Sequence, residues 1–108
     1  MSFGKPEFNV IACANADVAS EAFRQLYSVD LLMTDLQMPR RSGMELAFEL
    51  TASRPNLPVL IVSASILSES ALTEIWRQGW AFLSKPCRLE ALISIIESLL
   101  RPVSPLAA

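Results

Sequence analysis

Apolar residues along this chain fall into two alternating textures. One is the short unbroken run. Val59-Leu60-Ile61-Val62-Ser63 is the clearest, bounded by Arg54-Pro55-Asn56-Leu57-Pro58 on its N-terminal side. Such runs predict strands buried on both faces of a parallel sheet. Leu31 to Thr34 is a second run, Trp80 to Leu83 a shorter one, and Phe8 to Cys13 reads as the first strand. The other texture repeats every three or four residues and predicts helices. Asp17 to Tyr27 places Val18, Ala22, Phe23 and Leu26 on one face, with Asn15 or Asp17 as cap. Gly43 to Ser53 carries Met44, Ala47, Phe48 and Leu50. Ser68 to Gln78 starts on a capping serine and stops at Gly79. Leu89 to Leu100 is the last helix. The order β-α-β-α-β-α-β-α predicts an α/β fold in three layers, a parallel sheet of four strands with right-handed crossovers and helices on both faces.

A length of 108 residues supports one domain, with a core over about residues 8–100 and a tail at 101–108 that reads as a frayed end or linker. The chain is 52% hydrophobic, yet no stretch reaches the roughly 18 residues of a membrane span, and no signal-like N-terminus appears. The two cysteines, Cys13 and Cys87, lack metal-type spacing and there is no histidine, so a Cys/His zinc site is excluded. Reduced thiols as small buried hydrophobes in a cytoplasmic protein are the expectation. Trp76 and Trp80 read as packing residues. A net charge of −2 with scattered cations gives no nucleic-acid footprint, and Arg40-Arg41 reads as a solvated loop pair. The three glycines are isolated, so there is no phosphate-binding glycine loop. Without a histidine base or a nucleophile elbow, a hydrolase or nucleotide-binding enzyme is disfavoured.

The chemistry gathers at strand ends. Asp35, Ser63 and Lys85 each follow an apolar strand, and the carboxyl ends of parallel strands share one crevice. A carboxylate, a hydroxyl and an ammonium together suit phosphoryl transfer, with the carboxylate as acceptor and the other two meeting phosphoryl oxygens. Lys85 also precedes Pro86, a bond that tight turns can hold cis.

With those residues in place, the sequence resembles the receiver domain of two-component response regulators, of the chemotaxis-regulator-like kind. The resemblance rests on Asp35 at the strand end, Met38-Pro39 and Gly43 in the following loop, Ser63-Ala64, and Ser84-Lys85-Pro86. The spacings are 28 residues from Asp35 to Ser63 and 22 from Ser63 to Lys85. It covers roughly Phe8 to Leu100. It implies that Asp35 accepts a phosphoryl group from a histidine kinase, that Lys85 contacts that group, and that Ser63 and Phe82 are the switch residues. It also implies a magnesium site made by Asp35 and the backbone carbonyl of Gln37.

The sequence departs from the family at its start. Asn15 lies 20 residues before Asp35, so Phe8 to Cys13 matches the family's second strand, and the first strand and first helix have no counterpart. No two acidic residues are adjacent anywhere in the chain, so the acidic pair that ends that first strand is missing too. Magnesium takes oxygen ligands with one or more carboxylates. With Asp35 alone, a weak or lost metal site and slow phosphorylation are expected. The fold is then a flavodoxin-like receiver minus its first β-α unit. Either the first strand pairs directly with that of Asp35, or a second copy covers the gap. Leu89, Leu92, Ile93, Ile96, Leu99 and Leu100 form a stripe wider than one core contact needs, so a homodimer through the last helix is expected. Two functions remain open: a phosphorylated signalling receiver, and a phosphorylation-independent interaction or dimerisation module on the same fold.

Overall fold

The computed structural model describes residues 10–26, 28–38 and 40–100. Their elements are α1 (Ala16–Gln25), β1 (Leu32–Asp35), α2 (Gly43–Ser53), β2 (Val59–Ser63), α3 (Glu69–Gln78), β3 (Ala81–Ser84) and α4 (Leu89–Leu100). The strands form one parallel sheet in the order β1-β2-β3. Leu32 pairs with Val59 and Asp35 with Val62, while Ile61 pairs with Phe82 and Ser63 with Ser84. The central strand β2 is buried at every position, as its unbroken apolar run requires.

Local chemistry sets the helix ends. Asn15 caps α1 by accepting the Val18 amide at 2.9 Å. Ser42 and Glu45 close a reciprocal capping box on α2, at 3.1 Å and 2.9 Å. Ser68 caps α3, and Gly79 ends it in the left-handed conformation at φ 78°, where a side chain would be strained.

Two apolar clusters share one face of the sheet. Ala47, Val59, Ile61, Ile75 and Trp80 form the first, with Phe82 packed against it. Ala16, Leu46, Leu50 and Leu57 form the second, where α1 meets α2. By strand alternation Met33, Leu60 and Val62 face the other way. Leu92 of α4 lines an open cleft on that side together with Met33 and Val62. The α/β architecture is present as a three-stranded parallel sheet with four helices, and the cover is unequal: Leu46, Ala47 and Leu50 of α2 and Ile75 of α3 are buried, whereas no residue of α4 is.

Several expectations need correction. The sheet has three strands among the described residues, not four. Val10 to Cys13, the described part of the expected first strand, is irregular, and Val10 and Ile11 are 74% and 60% exposed. A strand needs a hydrogen-bonded neighbour. Among the described residues β1 is paired on one side only, by β2, so the segment has not joined the strand of Asp35. Helix α1 buries Ala16 and Ser20, with Ala19 and Phe23 against α2, rather than Val18 and Leu26, which are exposed. The close approach of α2 selects the small residues. Trp80 is buried edge-to-face against Phe48, but Trp76 is 79% exposed on the outer side of α3. Cys87 is exposed and Cys13 half-buried, so neither is the buried hydrophobe expected. Phe8, Asn9, Tyr27, Pro39 and the tail 101–108 lie outside the described residues.

Candidate functional site

The carboxyl ends of the three strands open on one side of the sheet, and there the structure brings two of the three predicted side chains together. Lys85 Nζ donates to Asp35 Oδ2 at 2.6 Å. The other carboxylate oxygen, Oδ1, accepts the backbone N–H of Gln37 at 2.9 Å. The pair is partly open to solvent, with side-chain exposures of 35% for Asp35 and 43% for Lys85. The Lys85 hydrogen bond is the main cause that holds the Asp35 carboxyl below its ordinary value; partial burial opposes it and the Gln37 amide helps. The Lys85–Pro86 bond is cis.

Ser63 sits at the same end of the sheet but is engaged locally. It is fully buried, and its hydroxyl accepts the Ser65 amide at 3.1 Å. Its carbonyl accepts the Lys85 amide at 2.8 Å, which fixes the start of the lysine loop to the end of β2. Phe82 is half-buried against the core cluster around Ile61 and Ile75.

The loop after Asp35 is tightly built. Leu36 N–H donates to Val62 O and Gly43 N–H to Leu36 O, both at 2.9 Å. The Thr34 hydroxyl donates to Asp35 O at 3.0 Å and approaches Met38 Sδ at 3.9 Å. Gly43 abuts the same carbonyl: a Cβ there would stand 2.2 Å from Asp35 O. Only glycine allows that approach. Arg40 takes a left-handed φ of 71° and pairs with Asp17 at 3.3 Å. Arg41 reaches Asp17 at 3.2 Å and also pairs with Glu49, so it ties this loop to both α1 and α2. Arg41 is therefore a solvent-accessible cation that is also paired, linking the loop after Asp35 to both helices. The sequence reading missed this network, the Thr34 bond and the capping box. Only the box had a clear signature, Ser42-x-x-Glu45.

Beside the Asp35–Lys85 pair lies an open cleft of about 210 Å³, lined in part by Met33, Val62, Cys87 and Leu92. A wider hollow on the outer face of α1, lined by Val18, Ala22 and Gln25, contains none of the strand-end residues. The site offers little to a divalent cation. No group of three metal-ligating side chains exists among the described residues, and both oxygens of Asp35 already have donors. Those donors suit an anion, so the residues present do not fit a magnesium cage. No helix is long and apolar enough to cross a membrane among the described residues.

Comparison with known proteins returns one consistent picture. The family model described as "Response regulator receiver domain" matches residues 2–97. The match begins at residue 2, so it does not itself delimit a missing first unit. The chain is 33% identical over 79 residues to the DNA-binding transcriptional regulator NtrC of Azospirillum brasilense, covering 73% of this chain and 16% of that protein. It is 32% identical over 92 residues to the transcriptional regulatory protein GlrR of Escherichia coli K12, covering 83% of this chain and 21% of that one. The chain thus spans about a fifth or less of these relatives. Among solved structures, the receiver domain of NtrX from Brucella abortus superposes with a TM-score of 0.71 at 30% identity, over 81% of this chain and 73% of that one. A LuxR-family response regulator from Aurantimonas sp. SI85-9A1 superposes with a TM-score of 0.76 over 94% of this chain and 74% of that one, a likeness of fold at 23% identity.

Proposed function

This chain belongs to the response regulator receiver domain family, and from that membership we propose that Asp35 is its phosphoacceptor in two-component signal transduction. One observation carries the reading: Lys85 Nζ lies 2.6 Å from Asp35 Oδ2 across the end of the sheet. A carboxylate oxygen attacks the phosphorus of a phosphohistidine on a histidine kinase. The phosphorus–nitrogen bond breaks, an acyl phosphate forms on Asp35, and the histidine leaves with the nitrogen's electron pair. The Lys85 ammonium passes from the carboxylate to the phosphoryl oxygens and offsets their charge. Ser63 and Phe82 are the residues whose repacking would carry the change to a partner surface; Ser63 must first release the Ser65 amide.

Magnesium finds few ligands at this site. The backbone carbonyl of Gln37 and one Asp35 oxygen are too few ligands, so binding is weak or lost and the uncatalysed exchange is slow. The test is incubation with acetyl phosphate, with and without magnesium, followed by intact mass. Gain of one phosphoryl group that Asp35→Asn abolishes supports the acceptor role; its absence at every magnesium concentration overturns it. A magnesium titration of tryptophan fluorescence saturating at low-millimolar concentration would overturn the weak-metal reading.

The second reading, an interaction module that works without phosphorylation, is favoured by α4. None of its 12 residues is buried, and Leu89 and Leu100 are 63% and 37% exposed, although seven of the positions are leucine or isoleucine. A second copy packed on Leu89, Leu92, Ile93, Ile96, Leu99 and Leu100 would cover that stripe. Light scattering at high micromolar concentration decides it: a dimer that Ile96→Asp dissociates supports it, and a wild-type monomer excludes it.

A further inference from the structure

The peptide unit between Asp35 and Leu36 is held at both ends. Its N–H, on Leu36, donates to Val62 O at 2.9 Å and so belongs to the sheet. Its C=O, on Asp35, accepts the Thr34 hydroxyl at 3.0 Å. Gly43 makes the room this carbonyl and the Thr34 hydroxyl occupy: a Cβ there would lie 2.2 Å from the oxygen and 3.0 Å from Thr34 Oγ1. Thr34 is only 5% exposed, so its hydroxyl has little access to water as an alternative partner. The next amide along, Gln37 N–H, is the one that donates to Asp35 Oδ1. The orientation of one peptide plane therefore decides where the carboxylate meets both its backbone donor and Lys85.

We propose that Thr34 is a positioning residue for the acceptor: its buried hydroxyl fixes the Asp35–Leu36 peptide so that the carboxylate is held between the Gln37 amide and Lys85. The inference rests on the reading of Asp35 as phosphoacceptor. In this role Thr34 acts through the peptide it holds. Its effect is on the geometry of attack, where small displacements cost rate steeply. Valine has the shape of threonine without the hydroxyl, and serine keeps the hydroxyl without the methyl, so the two variants separate hydrogen bonding from packing.

The experiment has two arms on the whole chain. In the first, Asp35 phosphorylation by acetyl phosphate is followed over a range of donor concentrations. Thr34→Val lowers the maximal rate at least about threefold with the half-saturating donor concentration unchanged, and Thr34→Ser restores most of it. In the second, amide hydrogen exchange at Leu36 and Gln37 accelerates about five- to tenfold in Thr34→Val, the factor that one neutral hydrogen bond supports. Exchange at Leu60 and Val62 stays unchanged, which a merely structural role would not predict. Wild-type rates and exchange in Thr34→Val overturn the proposal, as does acceleration spread evenly over the sheet. Should Thr34→Val fail to fold, the wild-type hydroxyl proton decides: slow exchange by NMR supports the bond, and solvent-like exchange overturns it. If wild-type chain takes up no phosphoryl group, the acceptor reading falls, while the exchange arm still decides the role of Thr34.

Discussion

Asp35 and Lys85 are 50 residues apart in sequence and 2.6 Å apart in space. Neither belongs to the central strand, yet each extends from a strand that flanks it, and β2 fixes both by parallel pairing. Val62 O takes the Leu36 amide and Ser63 O takes the Lys85 amide. The two loops are thus anchored to consecutive carbonyls of one buried strand, and the ion pair follows from that register.

The pair makes stability depend on pH in a defined direction. Lys85 lowers the Asp35 carboxyl below its unfolded value, so the folded state holds fewer protons in the acid range. The contribution is fully present above the unfolded carboxyl value and is lost as pH falls through the lower folded value. Because both side chains are about a third exposed or more, it is under about 1 kcal/mol. Lys85→Met should therefore be slightly less stable than wild type at pH 7 in urea unfolding. The gap should close as pH falls through the lowered Asp35 value, below which the carboxyl is protonated in both states. A gap that widens in acid would contradict the assignment.

Gly43→Ala should be costly although alanine is the better helix former. Its Cβ would meet Asp35 O at 2.2 Å and Asp35 C at 3.0 Å, both backbone atoms with no rotamer to yield. Overpacking of this kind costs about 1–3 kcal/mol, more than the gain of up to about 1 kcal/mol in helix propensity. The urea midpoint should fall, and the backbone shifts should concentrate at residues 34–37 in NMR spectra.

The two tryptophans should separate cleanly. Trp80 is 8% exposed and packs on Phe48 with ring centroids 5.2 Å apart, so Trp80→Ala should cost about 3–5 kcal/mol. Trp76 is 79% exposed, and Trp76→Ala should stay within about 0.5 kcal/mol of wild type. Iodide should quench the Trp76 emission and leave that of Trp80, which single-tryptophan variants can check.

How much of this was legible in the sequence follows from the range of each signal. The bounds of α2, β2 and α4 were readable because caps, breakers and apolar runs act within a few residues: Gly43 to Ser53, Val59 to Ser63 and Leu89 to Leu100 stand as expected. The convergence of Asp35 and Lys85 was readable through topology, since parallel strands put their carboxyl ends on one side. Ser63 shares that end, but a turn two residues long claims its hydroxyl, and local competition of that sort leaves no trace in spacing. The described part of the expected first strand, Val10 to Cys13, was misread because an apolar run shows only that a segment could pair, and whether it docks on the open edge of β1 is a long-range fact. Trp76 was misplaced for the same reason in a helix: periodicity names a face, and the cover over that face is a long-range fact.

Arg41 gives the last case, where an exposed-looking pair of cations proved to be a fastening. Its guanidinium reaches Asp17 of α1 at 3.2 Å and pairs with Glu49 of α2, while Arg40 adds a second contact to Asp17 at 3.3 Å. Hydrogen bonds to Glu49 and Asp17 raise Arg41 above its usual value, and the Arg41 hydrogen bond is the main cause that lowers Glu49. These groups are solvent-accessible, so the network is worth little per bond and is open to screening. Arg41→Met should lower Tm by no more than about 5 °C at low ionic strength. The difference should shrink in about 1 M salt, where the Debye length falls to about 3 Å. Since Arg41 stabilises Glu49 as carboxylate, the difference should also fade as pH drops through the lowered Glu49 range. A Tm gap that neither salt nor acid diminishes would mean that Arg41 acts through packing of its aliphatic stem and not through its charge.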